Sequence, residues 1–593
     1  MIGQDEHGRV VQGTVALDAQ PDLAGAITGR LHFDGPLEGL PARRSIPFVA
    51  QLIGRAFRSL GIEKELEEGV ADIGTYVVDN RRVDIAEALR AAGFDTHVAG
   101  ISDRIAKPPQ GWDMAQLHTL MSDLSQAPLL RRSWDVHMLV LSRSDRAGLL
   151  GVMFDTSDAL PRQGCAVFAE EIRGIQGIDH ERKLIQTTVH EVGHALNLTH
   201  RFERVVGRAD SLSFMNYDWR YRGGRREAEY WNQFAFSFDP DELEFLRHAP
   251  LPPLIPGGAP FHSVAYWADG TGDYSPYVPE SPLAGWTLTL MPPNAGPVLR
   301  FAQPVLMRVL LTNKSGRTVE IPTFMLDPKA GFLEVLIKRV NSGAVGRGST
   351  AAESFTPLMQ RCFQWDAADS TRLQDGESLE DNINLTFGSG GFAFAEPGTY
   401  DVTTLLVVFD QAQQRDLIVP SNTIRVRIGA PRSDEDERDA MEFFTPEVGM
   451  YLTLGGSAAL TKARDTLDEL ANRRNNDMDD PLVAHITRAR AIDSARAYVR
   501  YEDHKFYVTR PNVERAAGLL TKLRDNGART FDAATARQTA HLAETCQAQW
   551  EGRDAGTPTA GGPSVLPPDV SSAAIGAARR SSYQPVGKER FTR

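Results

Sequence analysis

The sequence is poor in cysteine: Cys165, Cys362 and Cys546 are the only three in 593 residues. They lie too far apart for a disulfide framework, and no CxxC or Cys/His zinc spacing appears, so reduced thiols are expected. Basic charge is also short, with 64 Lys and Arg against 77 Asp and Glu. The resulting net charge of -13 excludes a general nucleic-acid binder. No run of 18 apolar residues is present, so no membrane span is expected. The opening stretch "MIGQDEHGRVVQGTVALDAQ" lacks the basic-then-apolar order of a Sec signal peptide. A cytoplasmic protein, or one exported by a signal-independent route, is expected.

What is present is ordinary for a folded chain, 42% hydrophobic and 24% charged. At about 150 residues per domain the length predicts roughly four units or fewer. Residues 1–71 read as an N-terminal module or pro-segment, with "GAITGRLHFDG" strand-like and "IPFVAQLIGRAFRSLG" helical. From residue 72 to 250, strand and helix patterns alternate, as in "VDIAEALRAAGF" followed by "DTHVAGI" and "WDVHMLVLS". That alternation predicts an α/β layer. Residues 251–282, with "APLPPLIPGGAP" at their start, read as a linker. Short strands separated by turn residues fill 283–430 and predict an immunoglobulin-like β-sandwich, with Tyr400 in a tyrosine corner. "GSGGFAF" has no following lysine or helix, so it reads as a hairpin turn. Residues 431–553 read as a helical region, with Leu482, Ile486, Ala489, Ile492, Ala495 and Val499 on one stripe. The tail 554–593 reads as disordered. The expected class is therefore multidomain α+β.

The chemistry concentrates in "TTVHEVGHALNLTH", residues 187–200. A helix is expected from an N-cap at Asp179, with Ile185, Val189, Val192 and Leu196 on its buried stripe. His190 and His194, four apart, share a face and can reach one metal ion. Glu191 follows in the HExxH arrangement, where a carboxylate serves as general base without ligating. His200 lies six residues beyond His194. On a continuing helix those residues turn through about 600°, which would point His200 away. The helix must end between them. Asn197 is the residue there that best tolerates the left-handed backbone of a helix stop.

"HEVGHALNLTH" resembles the metzincin signature HExxHxxGxxH, with Asn197 in place of the usual glycine. "SFMNY" (213–217) is similar to the Met-turn of that family, with Met215 in the methionine position and Tyr217 in the place of a tyrosine that approaches the metal. The likeness covers about residues 72–248, and the matrixin-like branch is the nearest general match. It implies a metzincin-like catalytic domain holding Zn²⁺ on His190, His194 and His200. It also implies a zinc-dependent endopeptidase in which Glu191 activates a water and Tyr217 helps stabilise the oxyanion. A protein or peptide substrate follows, as does a protein partner for the β-sandwich or helical region.

A different class of reading makes the chain a binding or assembly protein whose sandwich and helices act, with a structural or vestigial zinc domain. The intact Glu191 favours the enzyme. Other features weigh less. Cys165, in "PRQGC", reads as a buried strand cysteine. Glu227 and Glu229 are an alternative source of a third ligand that His200 makes unnecessary. His118, His137, His180 and His248 read as packing or surface residues.

Overall fold

A computed structural model describes residues 2–4, 10–17, 26–33, 45–51, 56–108, 111–125, 134–154, 161–222, 227–267, 284–293, 296–340, 352–364, 370–410, 415–527, 530–531, 533–552 and 564–566. Two compact units are present, Met1–Arg58 with Gly93–Asp95, and Ser59–Ala92 with Thr96–Arg593. In the first unit, strands Ile2–Gln4, Val10–Leu17, Ala26–Phe33 and Ser45–Gln51 pair antiparallel in chain order. The helix expected over "IPFVAQLIGRAFRSLG" gives way to the last of these strands and, from Arg58, to the next. A short apolar run fits either state; Pro47 cannot serve a helix interior, and pairing with Ala26–His32 supplies the non-local partner.

The second unit is mixed α and β. Its central sheet comprises β1 (Arg58–Glu67), β2 (Phe94–Ile105), β3 (Asp135–Leu141), β4 (Leu149–Phe154), β5 (Gly164–Phe168) and β6 (Gln360–Phe363), in the order β6-β4-β5-β3-β1-β2. β5 runs parallel to β3, and β3 parallel to β1, while β4 is antiparallel to both β5 and β6. Two expectations change here. The boundary at residue 71 falls after β1, a strand enclosed by β3 and β2. β6, expected in the sandwich, instead extends this sheet, because the open edge of β4 offers unpaired backbone groups that an extended segment satisfies.

Helix α1 (His180–Ala195) packs on β4 and β5. The Asp179 carboxylate accepts from the Arg182 N–H and so caps it. The expected stripe Ile185, Val189, Val192 and Leu196 is buried, but so are Lys183, Gln186 and Glu191. From Lys183 to Ala195, α1 is a central helix, buried on every face.

Beyond it lie two mainly antiparallel sheets. One joins Trp286–Met291, Leu306–Asn313, Ser378–Asn384 and Ser564–Leu566; the other is built around Leu333–Val340, Gly398–Asp410 and Ile424–Ile428. The Tyr400 hydroxyl donates to the Glu396 carbonyl at 2.7 Å, which is the corner expected from "EPGTY". "GSGGFAF" forms a hairpin, Phe387–Gly388 with Gly391–Phe392. In the helical region the helix Pro481–Ser494 ends before Val499. Strands Tyr498–Glu502 and Lys505–Thr509 follow, joined by Asp503 and His504 at φ 49° and 60°, a turn of the primed type. One apolar cluster runs from β3, β4 and β5 through both further sheets into the helical region.

Residues 251–267 of the expected linker are packed: Arg162 donates to the carbonyls of Ala259 and Ile255 at 2.9 and 3.0 Å. Residues 268–283 lie outside the described residues, as does the expected disordered tail except for Ser564–Leu566, a strand. Among the described residues no helix is long and apolar enough to cross a membrane.

Candidate metal centre

α1 brings His190 and His194 to one face, and its C-terminus brings His200 back to them. Asn197 stands at φ 68°, in the left-handed region. The Leu198 N–H donates to the Gly193 carbonyl and the Asn197 N–H to the His194 carbonyl, each at 2.9 Å, which is a Schellman stop. A glycine would supply that backbone, but Asn197 adds three side-chain bonds. Its Nδ2 donates to the Pro253 carbonyl at 2.6 Å and to Ser263 Oγ at 3.2 Å, and its Oδ1 accepts from the His262 N–H at 2.8 Å. Asn197 thus ties the turn to the segment 253–263.

Each histidine is oriented through Nδ1. His190 Nδ1 faces the Phe214 carbonyl and His194 Nδ1 the Leu198 carbonyl, both at 2.7 Å. A carbonyl only accepts, so both Nδ1 atoms carry the proton, and each neutral ring keeps its Nε2 lone pair. His200 Nδ1 faces Glu203 Oε1 at 3.2 Å with the same consequence. Burial first, then the neighbouring histidines, holds His190 well below the ordinary imidazole range; burial and His200 do the same for His194. Burial also lowers His200, against an opposing pull from Glu203.

The three ring donors lie within 4.8 Å of one another, fully buried. His194 Nε2 and His200 Nε2 are 3.1 Å apart, and His190 Nε2 has no hydrogen-bond partner among the described residues. With Nδ1 protonated on both rings, these two Nε2 atoms present lone pairs to one another, a repulsion that a cation between them would relieve. Two nitrogens about 2.0–2.1 Å from a tetrahedral ion would stand roughly 3.3 Å apart, close to the spacing seen. The donor set therefore fits a metal ion: His190, His194 and His200 could hold one.

Glu191 is fully buried beside them. Burial pushes its carboxyl well above the usual range; the Met153 backbone N–H offsets part of this without completing a hydrogen bond of normal geometry. β4 lies directly over it. A Cβ at Gly151 would meet Glu191 Oε1 at 2.5 Å, so only glycine admits this carboxylate.

The turn 213–217 closes the floor. Phe214 gives its carbonyl to His190, and Met215 lies under α1 where a Cβ at Gly193 would strike its sulfur at 2.4 Å. The Tyr217 hydroxyl is 2.9 Å from His200 Nε2 and donates to the Arg361 carbonyl at 2.9 Å. All seven residues singled out from sequence are thus in one place.

Four others were not singled out. Glu203 takes both His200 and His262, whose Nε2 is 3.0 Å from Oε2. Burial would raise Glu203, but the two histidines outweigh it and hold it well below the usual carboxylate range. Its signal was available, three residues after His200. His262, Arg361 and Cys362 arrive from distant segments and carry no local signal. Cys362 groups with His190 and Glu191, their ligand atoms within 4.8 Å of one another. Cys165 is buried in β5 and joins no metal-competent group among the described residues, nor does Glu229, while the Glu227 side chain lies outside the described residues. His118 is a packing residue, 2.8 Å from Ser457 Oγ.

No family model and no curated protein matches the chain. Among solved structures it is similar to the sporulation control protein Spo0M of Bacillus subtilis, at 10% identity over 27% of this chain and 55% of that one, TM-score 0.17. It is also similar to a β-glucosidase of Listeria innocua, at 13% identity over 64% and 47%, TM-score 0.17. A third is OgpA of Akkermansia muciniphila, at 12% identity over 63% and 96%, TM-score 0.17. The chain spans about half the length of the first two. Likenesses this slight carry no argument about the site.

Proposed function

We propose that this chain is a zinc-dependent endopeptidase of metzincin type. The observation that supports it best is three imidazole lone pairs facing one point beside a buried carboxylate. When bound, zinc supplies Lewis-acid polarisation of a peptide carbonyl and of a water molecule. His190, His194 and His200 hold it, their rings fixed by Phe214, Leu198 and Glu203. Glu191 takes the proton of the attacking water and passes it to the leaving amine. Burial raises its proton affinity, and a dication nearby draws it back toward the neutral range that such a shuttle needs. Tyr217 donates to the carbonyl under attack; its reach is evident from the peptide carbonyl it already holds, that of Arg361. The substrate is an extended peptide, and the sheets and helices after residue 283 offer surface for it or for a protein partner.

A second reading has its own observation. The site is wholly buried and Cys362 lies near His190, which suits a closed structural zinc site in a binding or assembly protein. A carboxylate without a normal hydrogen bond is then a cost with no return. Zinc content and cleavage of a broad peptide library, measured on wild type and Glu191→Ala, separate the two. The enzyme reading expects zinc in both and cleavage only in wild type. Zinc in both and cleavage in neither would sink it.

A further inference from the structure

The segment 253–267 belongs to a stretch read from sequence as linker, yet it packs on the end of α1. Arg162, itself buried, donates to the Ala195 carbonyl of α1 at 2.6 Å and to the Ile255 and Ala259 carbonyls at 3.0 and 2.9 Å. The Thr199 N–H donates to the Tyr266 hydroxyl at 3.1 Å. Phe261 meets the His194 ring edge-on, with 5.5 Å between centroids. Next to it, His262 stands at φ 64°, a left-handed backbone that is uncommon for any residue but glycine. Strain of this kind persists where the surroundings enforce it, and it clusters at functional sites.

The side chain that this backbone presents reaches Glu203. His262 Nε2 is 3.0 Å from Glu203 Oε2, while Glu203 Oε1 accepts from the His200 N–H at 3.1 Å and faces His200 Nδ1 at 3.2 Å. Both oxygens of the carboxylate are therefore engaged, each by a different residue. Phe202 stacks on the His200 ring, 4.7 Å between centroids and 16° between planes. Stacking resists tilt of the ring but leaves it free to swing within its own plane. That remaining direction is set by the contact of Nδ1 with Glu203, and it decides whether Nε2 points toward His194 Nε2, 3.1 Å away. If Oε2 is released, the carboxylate turns about its Cγ–Cδ bond and the direction is lost. The imidazole is not needed for the turn at Asn197, because His262 bonds Asn197 through its backbone N–H. Nor is it needed for packing on Trp267, 5.3 Å away, which an apolar side chain would also supply. What the imidazole alone adds is the bond to Glu203.

We propose that His262 is a positioning residue of the metal centre: it locks Glu203, and Glu203 aims His200. This rests on the metal-holding half of the peptidase reading. A metal-ligating histidine is commonly backed by a carboxylate, and here the carboxylate is backed in turn by a second histidine from 59 residues further on.

The test uses the full chain and compares wild type with His262→Gln and His262→Leu. Both variants carry the same left-handed strain and lose the same ring, but only glutamine keeps a side-chain N–H for Glu203. Zinc affinity is measured by competition with a chelator, ligand geometry by the d–d absorption of the cobalt(II)-loaded protein, and fold by urea unfolding of the zinc-free protein. His262→Leu is expected to weaken zinc about 10–100-fold and to alter the cobalt band, with His262→Gln within about threefold of wild type and native in spectrum. The zinc-free urea midpoints of the two variants are expected to coincide. A zinc curve and cobalt band unchanged by His262→Leu overturn the proposal and leave the metal centre and the peptidase reading standing. Equal losses in both variants overturn it too, because the bond to Glu203 is then not what the metal senses. So does a zinc-free midpoint of His262→Leu well below that of His262→Gln, which makes the residue merely structural. Wild type that takes up no zinc overturns the metal centre itself, and the peptidase reading with it.

Discussion

The two walls of the candidate metal centre are built differently. The lower wall, from His190 to Tyr217, is local: a helix, a left-handed stop and a tight turn place three histidines, a carboxylate, a methionine and a phenol within 28 residues. The upper wall, β6, arrives from more than 140 residues downstream and is held by strand pairing and one buried ion cluster. A local wall can be read from spacing, because helix geometry fixes which residues share a face. A wall brought in by a sheet edge cannot, since any short extended segment satisfies an open edge and the sequence of β6 names no partner.

The largest effect expected tests the lower wall alone. Glu191→Gln should leave zinc binding unchanged and lower kcat/KM by about 10²–10⁴ on a peptide substrate. An equal loss of zinc would place Glu191 among the ligands and break the division between holding and catalysis. Asn197 comes next. Asn197→Ala should cost roughly 3 kcal/mol in urea unfolding, from three lost side-chain bonds and about 1–2 kcal/mol of left-handed strain. Asn197→Gly removes the strain but not the lost bonds, so it should fall between. Equal midpoints for the two variants would mean that the turn does not rest on Asn197's backbone conformation.

Glu203 lies at the limit of what spacing reveals. It orients His200 as a carboxylate commonly orients a metal-bound histidine, so Glu203→Gln should weaken zinc about 10–100-fold in competition with a chelator. A chelator curve matching wild type would make Glu203 a partner of His262 only.

The same contrast explains which parts of the fold were legible. The histidine helix, its cap at Asp179, the Asn197 stop and the Tyr400 corner follow from residues a few positions apart. The stretch around residue 50 became a strand, and β1 and β6 joined the central sheet, through pairings that link separate segments, while Val499 left its helix for a local hairpin in which it pairs with Val508. The sequence reads Cys165 as a buried strand cysteine, and it is buried in β5. Strand pairing brings Cys362 to the metal face.

The smallest effect expected tests the upper wall through pH. Burial would raise Asp327, but Arg361, Lys329 and Arg146 outweigh it and hold its carboxyl at about 2. The ordinary value is 3.8, so the folded value is depressed. A depressed carboxylate contributes stability that is complete above the unfolded value and lost as pH falls through the folded one. The window is therefore pH 4 down to 2, and the contribution at most about 2 kcal/mol. Wild type should lose that much more stability than Asp327→Asn between pH 4.5 and 2, read from urea midpoints. At neutral pH the variant should keep its zinc and show faster alkylation of Cys362, because its damage is confined to the tie on β6. Identical acid profiles would show that the cluster of Arg146, Asp327 and Arg361 does not anchor the strand, and β6 would then rest on its backbone pairing with β4 alone.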